Sequence, residues 1–312
     1  MDKITAVNKI PFVLITGFLG SGKTSLLKHI LTTYSKEKRI AVVQNDYAPG
    51  KTDSFELETT GRDFKLLEVN NGSVFCVCML DTFISQLAIF IEEHKPEVIF
   101  LEATGLADPV SIGQMMQAPE VQKQLFLSNV WTVVDSVNFN RAHQFVQRVR
   151  HQIQIADLIL LNKTDLNKPD EQFISTIRQW NPFAKLIETN YGFFPNIQDQ
   201  LQQSTKQSLQ TNTPPAPPIN SAGRPQIGSC VVRTQKVFTE KKIREFWEKH
   251  RDLIYRMKGY AKMSNGEFLL VQTVFDQFVI TTAKLWAGPT EIIFLGPGIE
   301  PKEFTQEFLD MS

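Results

Sequence analysis

The chain carries no net charge: its 312 residues hold 33 Lys and Arg against 33 Asp and Glu. Without a basic field nothing draws a polyanion such as nucleic acid, or an anionic membrane surface, so partners must be found by local chemistry. Cysteine is scarce. Of Cys76, Cys78 and Cys230, the first two stand two positions apart, too close for an unstrained disulfide, and a reduced, cytoplasmic setting fits best. Long apolar runs are missing as well. Met1–Ile10 has no apolar core of signal-peptide length and no later run is long enough to span a bilayer, so a soluble protein is expected. The five histidines, His29, His94, His143, His151 and His250, are scattered, and each reads as a surface or capping residue rather than a metal ligand.

The informative stretch is Phe12–Leu27. A continuous apolar run, Phe12-Val13-Leu14-Ile15, reads as a strand covered on both faces of a parallel sheet. It leads into Gly17-Phe18-Leu19-Gly20-Ser21-Gly22-Lys23-Thr24, which fits the phosphate-binding pattern G-x-x-x-x-G-K-S/T at every fixed position, and then into a helical pattern. Gly17, Gly20 and Gly22 let the backbone turn and bring its N–H groups, that of Ser21 among them, against phosphate oxygens. Lys23 can reach the β- and γ-phosphates, Thr24 can place a hydroxyl on Mg2+, and the helix start through Ser25 adds its partial positive charge.

Further strands deliver polar residues where ligands sit in open parallel sheets. Arg39–Val43 ends in Gln44-Asn45-Asp46, and the polar segment after it, to Arg62, carries Asp53. Lys65–Val69 is a short strand, and Asn70-Asn71-Gly72 a turn signal before Cys76 and Cys78. A helix is predicted over Leu80–Glu93, with Phe83, Leu87, Phe90 and Ile91 on one face. Val98–Leu101 ends in Glu102-Ala103-Thr104-Gly105: an acid for Mg2+ or its water shell, and a glycine N–H for the γ-phosphate. Val130–Asp135 is the next strand. Asp157–Leu161 then leads into Asn162-Lys163-Thr164-Asp165, an N-K-x-D sequence. The Asp165 carboxylate can accept from both N1–H and the exocyclic amine of guanine, a donor pair that adenine lacks on that edge. Asn162 is expected at the other edge of the base, with Lys163 along its plane.

Pro169–Trp180 is predicted helical with Pro near the first turn, and Asn181–Ile187 a turn and a last strand. This alternation predicts a doubly wound α/β P-loop domain over residues 1–195. Residues 196–226, with Thr213-Pro214-Pro215-Ala216-Pro217-Pro218, read as a stiff linker, and residues 227–312 as a smaller α+β domain. In that domain Thr239 is expected to cap a helix, Phe268–Phe275 and Phe278–Thr281 to form a hairpin, and Pro301–Asp310 a closing helix. Arg256–Tyr260 reads as structural rather than chemical.

In these motifs the chain resembles the CobW-like GTPases, relatives of the UreG and HypB nickel chaperones. The likeness rests on the G-F-L-G-S-G-K-T loop, Leu101–Pro109, the Asn181-Pro182-x-Ala184 turn and Arg256-x-Lys258-Gly259. It implies hydrolysis of GTP to GDP, coupled to transition-metal delivery or metal-cofactor assembly on a client protein. The catalytic set is then Lys23, Thr24 and Glu102, with Thr24, Asp46, Asp53 and Glu102 as candidate metal ligands. One departure stands out. The family follows its Asn-Gly turn with Cys-x-Cys-Cys, whereas this chain has Ser73-Val74-Phe75-Cys76-Val77-Cys78. Cys76 and Cys78 leave two thiolates, too few to close a tetrahedral Zn2+ site alone; they admit Zn2+, Co2+, Ni2+ or Cu+. Asp46, a second chain or the client is a candidate for the missing ligand. Slow turnover, quickened by dimerisation or by a client, is expected. Two other readings stay open: a GTP switch that gates a client enzyme without carrying metal, and a small-molecule kinase.

Overall fold

The computed structural model describes residues 9–45, 63–69, 80–103, 115–116, 118–139, 147–193, 195, 197, 199–201, 227–254, 256–274, 277–283, 286 and 288–312. The chain divides into two compact units, Met1–Ser208 and Leu209–Ser312. Among the described residues no helix is long and apolar enough to cross a membrane.

The first unit runs β1 (Ile10–Thr16), α1 (Lys23–Tyr34), β2 (Ile40–Asn45), β3 (Lys65–Val69), α2 (Leu80–His94), β4 (Val98–Glu102), α3 (Pro119–Gln124), β5 (Leu125–Asp135), α4 (Gln147–Gln154), β6 (Leu158–Asn162), α5 (Glu171–Trp180) and β7 (Lys185–Thr189). Its strands form one parallel seven-stranded sheet in the order β3-β2-β4-β1-β5-β6-β7. All five residues of β4 and of β6 are buried, which is why both read as unbroken apolar runs. Alternate residues feed opposite layers. Val133, Leu158 and Leu160 join Leu26, Leu27 and Ile30 of α1 on one face. Val134, Ile159 and Leu161 join Ile153 of α4 and Phe173 and Ile177 of α5 on the other. A doubly wound sheet results, with β1 between β4 and β5 at the point where the strand order reverses.

Two sequence expectations are corrected. β5 starts at Leu125, not Val130: the polar pair Ser128-Asn129 hides its first half, because the register to β1 slips there and the Ser128 hydroxyl bonds Phe12 O. The helix expected from Pro169 starts at Glu171. Asp170 is its N-cap, extended in backbone and accepting from Phe173 N–H at 2.7 Å, so Pro169 lies outside the first turn. The Asn181-Pro182-x-Ala184 turn has a physical cause. The buried Asn181 carboxamide accepts from Phe183 and Ala184 N–H and donates to Ile153 and Ala156 carbonyls, tying the end of α4 to the start of β7.

The second unit runs β8 (Ile227–Thr234), α6 (Glu240–Lys249), β9 (Arg256–Lys262), β10 (Phe268–Val274), β11 (Gln277–Thr282), β12 (Thr290–Pro297) and α7 (Pro301–Asp310). Its antiparallel sheet has the order β11-β10-β9-β12-β8, and β10–β11 is the expected hairpin. Thr239 caps α6, accepting from Lys242 N–H. Phe246 of α6 packs edge-on against Phe304 and Phe308 of α7, and all three rings pack on Phe294 of β12. Gly259 is a packing requirement: a Cβ there would stand 2.1 Å from Glu291 O across the β9–β12 pair. Burial pushes the Cys230 thiol up to about 11, which leaves it a packing residue.

Candidate functional site

The carboxyl edge of the parallel sheet gathers the candidate chemistry. β1 runs into a loop whose Gly17, Gly20 and Gly22 all take positive φ. A Cβ on Gly17 would lie 2.3 Å from Val133 O, and one on Gly22 2.2 Å from Asn162 Nδ2. Gly22 is also the N-cap of α1, and no side chain caps that helix and no acid stands in its first turn. Its first N–H groups face the loop without the side-chain acceptor that α5 and α6 possess, which is the arrangement an anion completes. Half-buried Ser25 belongs to this first turn, and the fully buried Ser21 hydroxyl has no hydrogen-bond partner among the described residues.

Lys23, 7 % exposed, curls its ammonium back over the loop, 3.1 Å from Gly17 O and 3.3 Å from Phe18 O. One residue on, the Thr24 hydroxyl donates to Glu102 Oε1 at 3.0 Å. Glu102, at the end of β4, is 5 % exposed and takes a second hydrogen bond on Oε2 from Gln44 Nε2. A hydroxyl and a carboxylate, both hard oxygen donors, thus meet beside an uncapped helix start; the pair fits Mg2+.

The second cluster lies at the ends of β6 and β7. The Asn162 carboxamide is 2 % exposed and engaged at both ends: Nδ2 donates to Ser21 O at 2.8 Å, and Oδ1 accepts from Gly192 N–H at 3.0 Å. It braces the phosphate loop against the turn after β7, a task that the sequence pattern alone does not assign to it. Lys163 takes φ +64°, and its ammonium lies 2.7 Å from Asp135 Oδ2. Burial pushes the Asp135 carboxyl up, but hydrogen bonds from Lys163, the Asn138 amide and the Val137 and Asn138 N–H groups outweigh it, and the net direction is down. Asn190 Oδ1 accepts from both Thr164 Oγ1 and Asp165 N–H at 2.9 Å. Asp165 is therefore fixed by its backbone while its exposed carboxylate has no hydrogen bond from any described residue.

Residues 11–188 match the family model of the CobW/HypB/UreG nucleotide-binding domain. The chain belongs to that family. Residues 227–312 match the cobalamin synthesis protein CobW C-terminal domain. The zinc-regulated GTPase metalloprotein activator 1 of Schizosaccharomyces pombe is 30% identical over 209 residues, 64% of this chain and 51% of that protein. The zinc chaperone CobW of a Sinorhizobium species is 31% identical over 185 residues, 51% of this chain and 52% of its own. The chain thus spans about half the length of the curated relatives it matches. In fold, it is similar to the crystal structure of Zn(II)-bound YjiA GTPase from E. coli, with TM-score 0.61 and 22% identity over 98% of this chain and 99% of that one.

Within this CobW/HypB/UreG nucleotide-binding domain, the structure brings together the candidates Gly17, Gly20, Ser21, Gly22, Lys23, Thr24, Ser25 and Glu102 in one cluster and Asn162, Lys163 and Asp165 in the other, with Asn162 joining them. The candidates Asp46, Asp53, Cys76, Cys78 and Gly105 lie outside the described residues. No group of three or more metal-ligating side chains occurs among the described residues. Sequence reasoning missed Asp135, Asn190 and Gly192. The signal was available: each stands at or just past the carboxyl end of β5 or β7, the same edge that marked Glu102 and Asn162.

Asp135 supports a prediction. Asp135→Asn removes the charge partner of Lys163 and should weaken guanine-nucleotide binding about tenfold, the loss of one charge-assisted hydrogen bond. Its folded pKa is depressed, so its contribution to stability is full above the ordinary carboxylate range and fades as pH falls through the folded value. Denaturant melts of both proteins should differ by a constant amount from pH 8 to about 5 and converge only in stronger acid.

Proposed function

We propose that this chain is a GTPase that couples hydrolysis of GTP to delivery of Zn2+ to a client protein. The observation that carries the guanine part is Asp165: its backbone is pinned by Asn190, its loop by Asn162, and its carboxylate is left exposed for a donor pair. This disfavours a kinase reading, which needs no guanine preference. Relatives bearing the names zinc chaperone and zinc-regulated GTPase metalloprotein activator support zinc as the cargo.

The residues divide the work. Lys23, released from Gly17 O and Phe18 O, neutralises β- and γ-phosphate charge as it builds on the leaving oxygen. The start of α1 and the loop N–H groups hold the phosphate oxygens in a fixed orientation. Thr24 and Glu102 would hold Mg2+, which when bound supplies charge neutralisation and alignment of the phosphates. Asp165 and Lys163 place the base, and Asn162, bonded to Ser21 O, ties base recognition to the phosphate loop.

Zinc content per chain tests the coupling. It is measured after equilibration with Mg-GDP and with a non-hydrolysable Mg-GTP analogue, for the native chain and for Cys76→Ser/Cys78→Ser. Stoichiometric zinc that requires both thiols and differs between nucleotides is expected. Tight GTP binding with no zinc in either state would instead make the protein a nucleotide switch without cargo.

A further inference from the structure

The ends of β2 and β4 lie in register, Gln44 opposite Glu102. Their side chains meet: Gln44 Nε2 donates to Glu102 Oε2 at 3.2 Å, while Glu102 Oε1 takes the Thr24 hydroxyl. A hydrogen-bonded chain therefore runs from the first turn of α1, through the carboxylate, to β2. An ionised carboxylate only accepts, so the Gln44 amide must turn its NH2 toward Glu102, and this fixes where its carbonyl oxygen goes. That oxygen, Oε1, is buried in a residue 5 % exposed and has no hydrogen-bond partner among the described residues. Every other polar end in the chain Thr24–Glu102–Gln44 is matched to a neighbour. A buried orphan acceptor is costly and is kept where a donor arrives that the protein does not supply.

An aliphatic side chain would fill the end of a buried strand without that cost. The strand-end position and the shared carboxylate place Gln44 beside the site that Thr24 and Glu102 form, and its oxygen still lacks a donor among the described residues. We propose that Gln44 is a positioning residue of this magnesium site: its Nε2 orients Glu102, and its Oε1 accepts a hydrogen bond from a water of the ion's hydration shell. The proposal rests on the nucleotide reading above. It gives β2 a direct part in sensing whether Mg2+ is present. Gln44 touches neither phosphate nor base in this role, so its effect is on ion-dependent retention of nucleotide.

The test is release of a fluorescent GDP analogue from the full chain into excess GDP, once with Mg2+ and once with EDTA. The ratio of the two release rates reports how strongly the ion holds the nucleotide, independently of turnover. Gln44→Met keeps length and bulk but neither the donor nor the acceptor, and should lower the ratio about tenfold, as loss of a hydrogen bond to a charged centre does. A Gln44→Met ratio within about twofold of the native one overturns the proposal. Faster release in EDTA as well as in Mg2+ marks a folding defect and also overturns it. If the native chain retains GDP equally with and without Mg2+, the proposal fails while the nucleotide reading stands; if it holds no GDP at all, the nucleotide reading fails and the proposal with it.

Discussion

Asp165→Asn should cost the protein about a thousandfold in GDP affinity and bring in xanthosine diphosphate as the better ligand. The carboxylate accepts from two donors of guanine; an amide offers one acceptor and turns an N–H against the other donor. Xanthine carries a carbonyl oxygen where guanine carries its amine, so the same amide then has something to donate to. The folding cost should be small, because Asp165 is held through its backbone N–H on Asn190 and its side chain is exposed. Titration of both nucleotides into the native and variant chains reads the exchange directly. Parallel weakening of both would place Asp165 outside the base site.

Gly17→Ala should abolish nucleotide binding and destabilise the first unit by about 3 kcal/mol, whereas Gly20→Ala in the same loop should cost about 1 kcal/mol. Both glycines have positive φ. At Gly20 nothing lies within 4 Å of the added Cβ, so the left-handed backbone is the whole cost. At Gly17 the Cβ meets a backbone oxygen, Val133 O, at 2.3 Å, and β5 must move away from β1 to admit it. Thermal melts of the two variants without nucleotide separate the cases. Equal losses would mean that backbone conformation alone decides this loop.

Much of the first unit is legible in its amino-acid sequence. The runs Phe12–Ile15, Val98–Leu101 and Leu158–Leu161 are apolar throughout because β1, β4 and β6 are buried on both faces, and continuous runs are hard to mistake. The phosphate-loop side of the candidate site follows, since ligands of an open parallel sheet collect at strand ends. Strands broken by polar residues are harder. Ser128 and Asn129 serve the β1–β5 slip and a contact to Gln200 O, and nothing local announces either. Nor can the braces be read. The carboxamide of Asn162 resembles a ligand contact in sequence, yet its partners Ser21 and Gly192 lie 141 and 30 residues away. Asp135 and Lys163 are likewise 28 residues apart and meet only because β5 and β6 are neighbours. The orphaned oxygen of Gln44 is invisible in sequence, where Gln44 is just a polar step at the end of an apolar strand.

The central claim is a site that selects guanine and holds its phosphates on the loop after β1. Calorimetric titration of GDP and of ADP into the full chain, with Mg2+, tests it most directly. Saturable one-to-one binding of GDP is expected, with at least about a hundredfold weaker binding of ADP, the discrimination that arises when Asp165 is left without its donor pair. Equal affinities, or tighter binding of ADP, would contradict it.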